Sequence, residues 1–151
     1  MERLADYSYS TLIGAAFDVI PSTIKKMLYY THFLTGTNPI KAGLHNYINC
    51  DDGRFYCNTG HFVTPESQFI LPLALRHPTI VLPTLIPVYH VVHELGHALD
   101  YILGGLHIAR PVSDYAKTNR EEAFAEAFTS WLFWGYGEQP DTSTLTLFES
   151  L

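Results

Sequence analysis

Residues 85–103 read Leu-Ile-Pro87-Val-Tyr-His90-Val-Val-His93-Glu94-Leu95-Gly96-His97-Ala-Leu99-Asp100-Tyr-Ile102-Leu103. Val91, Val92, Leu95, Ala98, Leu99 and Ile102 recur at helical spacing, so the run predicts one long, largely buried helix. Pro87 suits its first turn, where a missing N–H costs nothing. Gly104-Gly105 ends it. On that helix His93 and His97 lie four residues apart and project from one face. Two imidazoles so placed can bind one zinc ion at about 2.0–2.1 Å each. Glu94 lies about 100° round the helix from His93, flanking the metal, where it can hold and deprotonate a water. With 8 histidines in 151 residues, a chance His-Glu-x-x-His has a probability on the order of 0.02. Gly96 costs about 1 kcal/mol against alanine in a helix interior. Its presence predicts that another element approaches the helix closely.

A catalytic zinc site needs a third protein ligand and an open fourth position. The extension His-x-x-Gly-x-x-His does not supply that ligand, because Asp100 and Leu103 stand at its glycine and histidine positions. The next helix is the better source. It reads Asn119-Arg-Glu121-Glu122-Ala-Phe-Ala-Glu126-Ala-Phe128, and Thr118 with Glu121 fits a capping box that starts it. Glu122 and Glu126 share a face. One can bind the metal while the other accepts a hydrogen bond from a ligand histidine. Asp114 is a rival third ligand without such a partner.

Tyr115-Ala-Lys-Thr-Asn-Arg-Glu-Glu122-Ala-Phe-Ala-Glu126-Ala-Phe, downstream of His-Glu-Leu-Gly-His, resembles the gluzincin metallopeptidases. Among them it is most similar to the anthrax-lethal-factor-type and Pro-Pro-endopeptidase-type catalytic domains. The resemblance covers residues 85–135. It implies a small zincin-like domain, a zinc cofactor held by His93, His97 and Glu122, and a role for Glu126 in orienting a ligand. It also implies that Tyr115, seven residues before Glu122, stabilises an oxyanion. Glu122 follows His97 by 25 positions, a short gap for this family, which implies a more open cleft. The intracellular proteases that cleave phage-type repressors also fit that gap and do not require the tyrosine.

Outward from this core, the chain reads as one α+β domain over residues 1–151. N-terminal helices are expected, the first carrying Leu12, Ile13, Ala16, Phe17 and Ile20, the second running from Ile24 to near Gly36. A loop follows over residues 37–44. A small, mostly antiparallel sheet is expected from strands at His45–Asn49, Arg54–Cys57, His61–Thr64 and Thr79–Leu82. The active-site helix and the third-ligand helix complete it. The tail beyond Glu138 reads as polar and loosely held. Net charge is −6 with a pI near 5.7, which argues against nucleic-acid binding by phosphate neutralisation and against a polybasic membrane surface. No run spans a bilayer, and no secretory signal is seen, so a cytoplasmic location is expected. Cys50 and Cys57 are too few for a disulfide scaffold.

The expected function is a zinc-dependent endopeptidase acting on a peptide or protein, with Glu94 as base and Tyr115 as oxyanion donor. Either His61–Thr64 or Thr79–Leu82 is the candidate edge for pairing with extended substrate. The rival class is a non-catalytic zinc-binding adaptor, which would normally close the fourth position with cysteine or histidine. Asp100, one turn after His97, is a candidate for orienting that imidazole. His90 could contact substrate, His107 could be a second oxyanion donor, and Arg110 could bind a substrate carboxylate.

Overall fold

The computed structural model describes residues 11–35, 60–68, 72–82 and 86–151. The expected loop at 37–44, the strands at His45–Asn49 and Arg54–Cys57, and both cysteines lie outside the described residues. Within them the protein is α+β, with five helices and a three-stranded sheet. No described helix is long and apolar enough to cross a membrane.

Helix α1 occupies residues 11–18 and buries Ala16, with Ile20 just beyond it. Helix α2 spans Ser22–Met27 and buries Ile24 and Leu28 one turn apart. The spacing Ile24, Met27, Leu28, Thr31 suggested a helix running on toward Gly36. Instead the chain leaves the helix at Leu28 and becomes strand β1, His32–Thr35. The His32 N–H donates to Pro78 O at 2.8 Å and opens a parallel ladder with β3, Thr79–Leu82. Tertiary pairing here overrides local periodicity.

Strand β2, His61–Val63, pairs antiparallel with β3, placing Phe62 opposite Ile80. The strand order is β1-β3-β2. Among the described strands the sheet is mixed, with one parallel and one antiparallel pair. Strand β3 is central and all four of its residues are buried, as befits a strand covered on both faces. It cannot serve as the substrate edge; among the described strands, β2 and β1 are the edges. The buried Gln68 amide pins β2 to the entry of β3. Its Nε2 donates to His77 O at 2.6 Å, Thr79 Oγ1 at 3.2 Å and Val63 O at 3.3 Å, and its Oε1 accepts from the His77 N–H. A buried amide satisfied in this way fixes one register.

Helix α3, Val88–Ile102, begins after Pro87. It ends where Gly104 and Gly105 adopt φ of 97° and 69°, and the Gly105 N–H donates back to Asp100 O at 2.9 Å. Only glycine takes that left-handed turn without strain. Helix α4, Arg120–Leu132, is capped by Asn119, whose side chain accepts from the Glu122 N–H at 2.8 Å. The cap is one residue later than the expected Thr118, whose hydroxyl instead donates to Tyr115 O. That shift leaves Glu121 outside the cap. The C-terminal tail is not loose: residues Thr142–Ser150 form helix α5. Phe148 is buried with its ring 5.6 Å from those of both Phe124 and Phe128, and stacked on Trp131 at 5.0 Å. Polar composition hid this single aromatic anchor. Burying it contributes about 1.5–3 kcal/mol.

Helices α3 and α4 touch most closely at Gly96. A Cβ there would lie 2.9 Å from Ala125 Cα, 3.2 Å from Ala125 O and 3.3 Å from Phe128 Cβ. Gly96→Ala should therefore destabilise the fold by about 1–3 kcal/mol through overpacking, although alanine is the better helix former by about 1 kcal/mol. Urea unfolding would read this as a lower midpoint. A midpoint equal to or above that of the parent would show that the helices do not meet there.

Candidate metal centre

The close approach at Gly96 sets the inner face of α4 against His93 and His97. His97 Nε2 meets Glu122 Oε1 at 2.6 Å, and His93 Nε2 meets the same oxygen at 3.0 Å. The two rings stand nearly perpendicular, with centroids 4.8 Å apart. In a tetrahedral site with ligand bonds of about 2.0–2.1 Å, neighbouring donors sit about 3.3 Å apart. The two contacts to Glu122 Oε1, at 2.6 and 3.0 Å, thus need to open by about 0.7 and about 0.3 Å to admit an ion. The metal-binding atoms of His93, Glu94 and His97 also lie within 4.8 Å of one another, so this His-Glu-His group could hold a metal ion. Glu122 is the tighter third donor, because a single oxygen already touches both imidazoles.

Glu126 supports the arrangement from behind. Its Oε2 faces His93 Nδ1 at 2.9 Å. It also accepts from Tyr136 Oη at 2.7 Å, while its Oε1 accepts from Ser113 Oγ at 2.8 Å. An Nδ1–H held by a carboxylate leaves Nε2 as the ring's metal-binding atom, once an ion displaces the proton it shares with Glu122. Burial lowers the His93 pKa, but the hydrogen bonds to Glu122 and Glu126 outweigh it and raise the value to about 9. Burial pushes the Glu122 carboxyl up, yet the two histidines and Tyr115 hold it well below the usual range. Such a ring of carboxylates around two imidazoles is a cation's environment.

Tyr115 opens a short turn, Tyr115–Lys117, ahead of α4. Its hydroxyl donates to Glu122 Oε2 at 2.5 Å, and its ring lies 5.8 Å from that of His93. Burial, then the hydrogen bond to Glu122, raise its pKa far above the ordinary value, so it remains a donor. Ser113 Oγ accepts from the Ala116 N–H at 3.1 Å while donating to Glu126. One hydroxyl therefore ties the Tyr115 turn to the group behind His93.

A cleft of about 620 Å³ opens beside these groups, lined by Gly60, His61, Phe62, Glu94, His97, Tyr115, Glu121 and Glu122. Glu94 is buried, and burial raises its pKa, with His97 and His93 opposing. Gly60, at the entry to β2, presses on it: a Cβ there would stand 3.0 Å from Glu94 Cγ. Strand β2 thus reaches the cleft.

Several sequence candidates lie elsewhere. Asp100 does not orient His97. Arg120 takes its carboxylate in a two-point grip, at 3.0 Å and 2.5 Å, and donates to His107 O at 2.8 Å as well. The planar guanidinium outcompetes an imidazole for both oxygens, so Asp100 locks α3 to the start of α4. His107 Nε2 bonds Thr144 Oγ1 at 2.9 Å and anchors α5. Arg110 holds Gln139 O and the Asp141 carboxylate. Asp114 is exposed and pairs with Lys117 at 3.3 Å. His90 packs edge-on against Tyr89, away from the cleft lining. Sequence reasoning missed Ser113, Tyr136, Gly60 and the free position of Glu121. Ser113, two residues before Tyr115, and Glu121, beside Glu122, stood near a marked motif.

Comparison with protein-family models, with curated proteins and with solved structures finds no match.

Glu126→Gln should keep the fold but weaken metal affinity about 10–100-fold, the usual effect of losing the partner behind a ligand histidine. Competition with a chromophoric chelator would measure it. Affinity within a factor of two of the parent would show that the His93–Glu126 contact does not matter to the metal.

Proposed function

We propose that this protein is a zinc-dependent endopeptidase of zincin-like fold. The observation that carries the reading is the contact of one oxygen, Glu122 Oε1, with His93 Nε2 at 3.0 Å and His97 Nε2 at 2.6 Å at a cleft that Glu94 and Tyr115 also line. The donor set, two imidazoles and a carboxylate, suits zinc. Bound there, zinc would supply a Lewis acid that polarises a scissile carbonyl and makes water acidic near neutral pH.

The chain's own residues divide the remaining work. Glu94 takes the proton of the attacking water and passes it to the departing amine. Its raised pKa brings it nearer the operating pH, where a general base is most effective. Glu126, held by Ser113 and Tyr136, keeps the His93 ring from turning. Tyr115 donates to the oxyanion. In its present position it donates to Glu122 Oε2, so this service requires an exchange of partner from that carboxylate oxygen to substrate. Strand β2 borders the cleft through His61 and Phe62 and is the candidate for lying alongside extended substrate. The open cleft supports a catalytic site over a non-catalytic zinc adaptor. The Tyr115 hydroxyl beside the centre, donating to Glu122, supports the lethal-factor-type reading over the repressor-cleaving type.

Glu94→Gln should keep one zinc per chain and an unchanged thermal midpoint, yet cleave a fluorogenic peptide pool at least about 10²–10⁴-fold more slowly. Turnover within about tenfold of the parent would remove Glu94 from the role of base.

Tyr115→Phe tests the oxyanion assignment. Loss of a donor used only in the transition state lowers kcat and kcat/KM together, here by about 10²–10³-fold, with zinc content unchanged. An unaltered kcat would favour the repressor-cleaving subclass, which does not need the tyrosine.

A further inference from the structure

Glu121 is the cleft residue to which neither the cap nor the metal centre gives a task. The sequence assigned it to a capping box, but Asn119 caps α4 through the Glu122 N–H. Its carboxylate lines the cleft beside Glu94 and Glu122. Those two are committed: Glu94 is buried, and Glu122 is held by His93, His97 and Tyr115. The Glu121 side chain is 59% exposed, and its ion pair to Arg120 Nη2 is long at 3.7 Å. That guanidinium also holds Asp100 and His107 O. The described lining includes no lysine or arginine. The cleft therefore carries a solvent-exposed carboxylate whose long ion pair is to an arginine shared with Asp100.

We infer that the cleft selects peptides bearing a lysine or arginine close to the scissile bond, and that Glu121 is the residue that reads it. The peptide as ligand rests on the endopeptidase reading. Glu121 adjoins Glu122 on α4, and extended chain advances about 3.3–3.6 Å per residue. The recognised side chain thus belongs within about two residues of the reacting carbonyl. Phe62 in the same lining offers an apolar surface for the aliphatic stem of such a side chain, whose charged head stays in water near the carboxylate. A divalent ion at the His93–His97–Glu122 centre would offset the charge of Glu94 and Glu122 and leave that of Glu121 over for substrate.

The test uses the zinc-loaded full chain and a set of terminally blocked octapeptides. These are identical except at one position, walked along the peptide, that holds Lys, Arg, norleucine, Gln or Glu. Binding is measured by fluorescence anisotropy and cleavage by kcat/KM. A lysine or arginine at one position should improve both over norleucine by about five- to tenfold, the range of one partly exposed ion pair strengthened by a cleft, and the gain should shrink with added salt. Glu121→Gln should abolish the preference, Glu121→Asp should keep most of it, and Glu121→Lys should turn it toward glutamate. Zinc content and thermal midpoint should be unchanged in all three. Cleavage by the parent with no basic preference, or a preference that survives Glu121→Gln, overturns this inference and leaves the peptidase reading standing. A basic preference in binding, lost in Glu121→Gln but with no cleavage by the parent, supports Glu121 as the reader and overturns the peptidase reading. Equal binding of all five peptides overturns the inference whether or not any is cut.

Discussion

Everything at the candidate centre depends on two helices lying closer than side chains normally allow. Gly96 sits between the two motif histidines' turns and faces the Ala125 backbone. Without a Cβ, α3 lets α4 approach until Glu122 touches both imidazoles and Glu126 reaches the back of His93. Ala125, the residue opposite, is itself small and fully buried. The metal-binding geometry is thus a packing result before it is an electrostatic one: carboxylates and imidazoles are held together because the backbones leave them little other room.

The electrostatic layer then follows from that packing. Burying charged groups is costly unless each is paired. Here the pairing forms a chain: Tyr115 to Glu122, Glu122 to two histidines, His93 to Glu126, and Glu126 to Ser113 and Tyr136. The Arg120–Asp100 grip closes the same two helices a turn further on. Each bond fixes the rotamer of the next group, so the side chains meet the cleft already oriented.

The sequence made α3, the start of α4 and β3 legible because each is specified locally. The histidine pair, the bounding proline and glycines, and the β-branched run Thr79–Leu82 all act within one element. Glu122 and Tyr115 were visible only through a resemblance, since no local rule states which of two glutamates faces a metal. What stayed hidden depends on distant partners. Strand β1 exists because Pro78 offers it a carbonyl. Helix α5 is held by Phe148 against α4 and by Thr144 to His107, and Asp100 is claimed by an arginine twenty positions away. The α4 cap was off by one residue because Thr118 and Asn119 are both good caps, and with Asn119 in that place Glu121 lines the cleft.

The segment joining α3 to α4 is tied at both ends and in the middle. Arg120 grips Asp100 and His107 O, Ser113 is clasped by Glu126, and Val112 O accepts the Glu138 N–H at 2.8 Å while packing directly on Gly137. Such a connection has no slack to distribute. Surface loops usually absorb added or lost residues at small entropic expense, but here a change of length would displace either the Tyr115 turn or the first turn of α4. The stretch between the two helices therefore behaves as a spacer of fixed length, open to changes of residue type at exposed points such as Leu106 and Ile108 and closed to insertion or deletion.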